Sequence, residues 1–111
     1  MSLRPGFSII IPTFNRAFCI CEAVDSVLMQ NYPDFELIVI DDGSSDGTDM
    51  LLKERYGAEM ACGRLKYLQS GHEGVSAARN KGLRAATREW AGYLDTDNRM
   101  CADYFAVFEN A

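Results

Sequence analysis

The sequence lacks several features that would assign its class at once. No apolar run approaches the ~18 residues of a membrane-spanning helix. The apolar run that ends at Pro12 is too short for the core of a signal peptide. Basic residues are not in excess: 11 Lys and Arg stand against 16 Asp and Glu, a net charge of −5, which argues against a nucleic-acid surface. The four cysteines, Cys19, Cys21, Cys62 and Cys101, include no C-x-x-C pair, so neither a zinc spacing nor a small disulfide scaffold is indicated. Reduced thiols and a cytoplasmic location are expected. Repeats, linkers and low-complexity segments are absent.

What is present reads as one α/β domain over residues 1–111. Apolar residues make up 48% of the chain and charged residues 24%, enough to bury a core without staples. Four short apolar runs stand out: FSIII (7–11), FELIVI (35–40), LKYL (65–68) and WAGYL (90–94). Near-continuous apolar runs suit parallel strands covered on both faces. Pro12 is read as the end of the first. Helical patterns lie between them. Ile20, Ala23, Val24, Val27 and Leu28 form an amphipathic stripe, closed by Asn31 and Pro33. A weaker helix spans about 48–56, with Gly57 as its stop. A third spans about 75–86 and is expected to bury Val75, Ala78, Gly82, Leu83 and Ala86. A last helical segment covers 102–110. The order βαβαβαβ predicts a Rossmann-like, mainly parallel sheet of about four strands with flanking helices.

In such sheets ligands bind outside the carboxyl ends of the strands. Four polar stretches fall at those ends: 12–16, 41–47, 71–74 and 95–98. In IDDGSSDGT (40–48), Ser44 to Thr48 read equally well as a tight turn with Asp46 or Thr48 capping the next helix. Asp41, at the strand end, is expected to point into the cleft and accept from a ligand N–H. GVSAARNKGL (74–83) opens a helix, whose free N–H groups favour a phosphate. Arg79 is expected beneath the cleft, where its planar guanidinium matches two phosphate oxygens; the plainer alternative is a surface ion pair. His72, the only histidine, is read as structural. YLDTDN (93–98) carries Asp95 and Asp97. Like charges ~4 Å apart cost on the order of 1 kcal/mol even in water. A divalent cation, Mg²⁺ or Mn²⁺, between the carboxylates and a diphosphate reverses that sign; a turn or cap is the plainer alternative.

SIIIPTFNR, ELIVIDDGSSDGT, GVSAARNKGL and GYLDTDN, in this order and spacing, resemble the nucleotide-sugar-binding half of the family 2 glycosyltransferases, which have the GT-A fold. The resemblance covers residues 8–110. It implies an inverting transferase that uses a nucleoside-diphosphate sugar, often a UDP-sugar, with Mg²⁺ or Mn²⁺. Carried over by position, Pro12, Thr13 and Asn15 would line the nucleoside pocket, with Arg16 beside it. Asp41 would recognise the base and Asp42 would border it. Arg79 would lie near the diphosphate, Asp95 near ribose and sugar, and Asp97 on the metal. His72 stands where members often carry Asn, and Asn98 where many carry another acid. A full catalytic domain of this type is about twice as long. The acceptor site, for a saccharide or a lipid-linked acceptor, and the general base are therefore expected beyond Ala111. The chain is expected to bind donor without efficient transfer, and to self-associate through an exposed sheet edge. Two other readings compete. One is a non-catalytic nucleotide- or metal-binding module. The other, a phosphoacceptor receiver domain, needs acids where this chain has PTFNR and QSGHEG.

Overall fold

The computed structural model describes residues 6–30 and 34–96. Strands β1 (Phe7–Thr13), β2 (Phe35–Asp41), β3 (Leu65–Gln69) and β4 (Trp90–Tyr93) form one sheet. Its order is β3-β2-β1-β4 and every pairing is parallel. Helices α1 (Ile20–Leu28), α2 (Thr48–Arg55), α3 (Gly57–Ala61) and α4 (Val75–Ala85) fill the connections. The expected α/β architecture with a parallel sheet is thus observed.

Strand alternation splits the core into two layers. Phe7, Ile9 and Ile11 of β1 join Phe35, Leu37 and Val39 of β2 beneath Ile20, Ala23, Val24 and Val27 of α1 and Leu52 of α2. On the other face Ile10, Ile38 and Ile40 meet Ala78 of α4. This second layer is thin because α4 lies close to the sheet. A Cβ at Gly82 would sit 2.5 Å from Ile10 Cγ2.

The structure departs from expectation at three points. β1 runs through Pro12 to Thr13. The Leu94 N–H donates to the Ile10 carbonyl on the β4 side, and the Asp42 N–H to the Thr13 carbonyl on the β2 side. The missing N–H of Pro12 therefore faces β4, beyond the Ile10–Tyr93 pair where that ladder ends. Pro12 stops one ladder and spares the other. Second, Gly57 opens α3 instead of ending a helix. The break lies at Tyr56 (φ −122°, ψ 27°), whose hydroxyl donates to Asp25 Oδ1 (2.6 Å). The positive-φ glycine is Gly63 (φ 84°), just after α3. Third, Val75 and Leu83 of α4 are exposed, and only Ala78 and Gly82 of that helix are buried. Close approach to Ile10 needs the smallest side chains, and the larger ones flank the contact. Asn31, Pro33, Asp97, Asn98, Cys101, Glu109 and the 102–110 segment lie outside the described residues.

At the amino-terminal end of the sheet Glu36 is 1% exposed. It accepts from Ser8 Oγ (2.6 Å), Thr87 N (2.7 Å) and Thr87 Oγ1 (2.9 Å), and pairs with Lys66 Nζ at 2.7 Å. Burial pushes its pKa up, but Lys66 and these donors outweigh that and hold it at about 2. One carboxylate thereby ties β1, β2, β3 and the α4–β4 turn together.

Candidate functional site

β1 is followed in sequence by β2 on one side, and the chain later returns to place β4 on its other side. The strand order reverses between β1 and β4, where open parallel sheets have a crevice at their carboxyl ends. A cleft of about 360 Å³ lies there. Pro12, Thr13, Phe14 and Arg16 supply one wall, Asp42 and Val75 with Ala78 another, and Asp95 with Thr96 a third.

The loops around it are stitched by polar side chains. Asn15 (φ 51°) donates its N–H to Ser44 Oγ (2.8 Å), and its Oδ1 accepts from Ser45 N (2.8 Å). Asp46 Oδ2 accepts from Ala17 N (2.9 Å), while its Oδ1 accepts from Thr48 Oγ1 (2.5 Å) and Thr48 N (3.3 Å) at the start of α2. These donors hold the Asp46 carboxyl below its usual range, the Thr48 hydroxyl foremost. Asn15 is thus a brace between the first two loops and is not part of the cleft wall.

The two neighbouring aspartates separate. Asp41 ends β2 on the α1–α2 face, 1% exposed, with Ser44 N donating to Oδ1 (2.9 Å) and the Tyr67 hydroxyl to Oδ2 (2.5 Å). It does not line the cleft, so the expectation that it points there is corrected: alternation turns it to the opposite face. Burial, then Asp41, pushes the Tyr67 phenol up. Asp42 lies on the cleft side. Its Oδ1 accepts from Ser70 Oγ (2.7 Å) and Glu73 N (2.8 Å), and its Oδ2 from Gly74 N (2.9 Å). Burial pushes the Asp42 pKa up, but these donors and nearby His72 bring it below the usual carboxylate range.

Two buried polar atoms have no partner among the described residues, Thr13 Oγ1 and Arg79 Nε. Thr13 is 3% exposed and borders the cleft. Arg79 lies behind that wall, its guanidinium 5.4 Å from the Tyr93 ring and its Nη2 3.4 Å from Asp95 Oδ1. Asp95 of the DTD stretch is among the described residues, and Asp97 is not. Among the described residues no three His, Cys, Asp or Glu side chains form a cluster able to hold a metal. Phe14 is a cleft residue that sequence reasoning missed. Its signal was a large aromatic in the turn after β1, where nothing in the periodicity calls for one.

Comparison with known proteins gives the family and the fold. The profile described as Glycosyl transferase family 2 matches residues 8–106. The chain belongs to that family. An uncharacterized glycosyltransferase of Rickettsia felis is 36% identical over 104 residues, covering 90% of this chain and 16% of its own length. A mannosyltransferase from Pyrobaculum calidifontis, solved with GDP-Man and Mn²⁺, superposes with a TM-score of 0.81 at 32% identity, covering 91% of this chain and 30% of its own. TarS of S. aureus, solved with UDP, gives 0.81 at 30% identity, covering 95% and 31%; it has also been solved with UDP-GlcNAc. The fold is therefore of the GT-A type. The chain spans less than a third of each of these three relatives. No helix among the described residues is long and apolar enough to cross a membrane.

Proposed function

We propose that this chain is the donor-binding part of a family 2 glycosyltransferase, holding a nucleoside-diphosphate sugar in the cleft between the ends of β1 and β4. The observation that carries the reading is the convergence of separate strand-end segments on one cleft of about 360 Å³, which Pro12, Phe14, Arg16, Asp42 and Asp95 line. Phe14 offers a face on which a planar base stacks. Asp42, at the cleft wall, borders the base in the place that sequence reasoning gave to Asp41. Pro12 and Arg16 complete the nucleoside side. Arg79 lies behind the wall on the Asp95 side, where its positive charge favours a diphosphate. A UDP-sugar is the first donor to try, supported by the UDP and UDP-GlcNAc complexes of TarS.

The donor chemistry fits Mg²⁺ or Mn²⁺: Asp95 is an exposed carboxylate at the cleft mouth, a hard oxygen ligand. Asp95 and Asp97 would hold the ion, with ligand phosphates. When bound, the cation offsets the charge that grows on the departing diphosphate. The reaction is inverting transfer to an acceptor hydroxyl. Neither carboxylate at the cleft suits the role of general base. Asp42 is fixed by three donors and held below the usual range, and Asp95 is paired to Arg79. The isolated 111-residue chain is therefore expected to bind donor and to transfer sugar poorly.

Calorimetric titration of UDP, with and without Mn²⁺, tests the reading. Binding that strengthens with Mn²⁺, weakens in Phe14→Ala and loses its metal dependence in Asp97→Ala is expected. A folded protein that binds none of UDP, GDP or dTDP would overturn it.

A further inference from the structure

The β3–α4 loop sets His72 behind two residues of the cleft wall. Its backbone is left-handed (φ 58°), a conformation uncommon outside glycine that His, like Asn and Asp, adopts more readily than most residues. The ring lies 4.4 Å from the Phe14 ring, centroid to centroid, at an interplanar angle of 32°. Its Nδ1 is 3.9 Å from Asp42 Oδ2. Phe14 and Asp42 both line the cleft. The charged groups around the imidazole are Asp42 from the β2–α2 loop and Glu73 beside it on its own loop. Arg16, on the loop that carries Phe14, stacks 5.7 Å from the Phe18 ring.

We propose that His72 is a positioning residue for the donor cleft: its ring, carried on the left-handed backbone of the β3–α4 loop, props the Phe14 ring on which the base stacks. The proposal rests on the donor reading above. His72 is 68% exposed and the contact is one ring against another, so its loss costs about two- to five-fold in donor affinity.

The test measures affinity for UDP-GlcNAc and GDP-mannose in the wild type, His72→Asn, Phe14→Ala and the double variant. Asn keeps the left-handed backbone without a ring. His72→Asn should bind about two- to five-fold weaker, and in the Phe14→Ala background the same change should cost nothing further. His72→Asn with wild-type affinity, or with an equal loss when Phe14 is already removed, overturns this inference and leaves the donor reading standing. Failure of folded wild type to bind either sugar nucleotide removes both.

Discussion

Glu36 sits inside FELIVI, where composition alone reads a plain apolar strand. Its cost is offset by Lys66 and by donors from Ser8 and Thr87. The folded pKa, about 2, lies below the ordinary value of 4.5. The ionised group therefore adds stability that is complete above about pH 5 and fades as pH falls toward 2, on the order of 3 kcal/mol in all. Glu36→Gln should lower the unfolding free energy at neutral pH by about 2–3 kcal/mol. The deficit should shrink in acid as the wild type loses its own contribution. Denaturant titrations at pH 7, 4 and 2.5 read this directly, and a deficit constant with pH would refute it. Residue roles were the least legible layer of the sequence. The DDGSSDG stretch announced a site, but which aspartate faces the cleft depends on which face of the sheet α4 covers. The partners of Glu36 come from three separate segments, a convergence that no local pattern records.

Elements were more legible, because each answers to a short-range rule. Four apolar runs became four parallel strands, and the α1 stripe buries Ile20, Ala23, Val24 and Val27 as its spacing demands. The failures came where tertiary contact overrode the local rule: Tyr56 breaking α2 from α3, and α4 pressing so near the sheet that Gly82 belongs to the packing. Ala at that position would gain about 1 kcal/mol of helix propensity. Its methyl would also meet Ile10 Cγ2 at 2.5 Å, inside a strand that cannot yield. Overpacking of this kind costs about 1–3 kcal/mol beyond any gain. Gly82→Ala should thus lower the melting temperature, and because α4 carries Arg79, it should weaken UDP binding as well. An unchanged or raised melting point would mean that α4 slides without penalty.

For the molecule as a whole, the β4 edge of the described sheet matters most. Trp90 and Tyr93 are half exposed there, 55% and 47%, on a strand paired only to β1 among the described residues. We propose that isolated chains associate through this edge. Sedimentation coefficients should rise with protein concentration, and Trp90→Lys should hold the protein as a monomer. Concentration-independent sedimentation of the wild type would remove the idea. The family was legible from four sequence blocks, since each falls at a strand end and the parallel order brings all four to one edge.

The Glu36 cluster and the cleft stand at opposite ends of the same strands. One end fastens the framework, while the other carries loops braced chiefly to one another through Asn15, Asp42 and Asp46. Such a layout separates what must persist from what can be exchanged. Grafting a relative's post-strand loops as a complete set should redirect which sugar nucleotide is accepted while the unfolding curve stays nearly where it was. Exchanging a single loop should break the mutual bracing and fail.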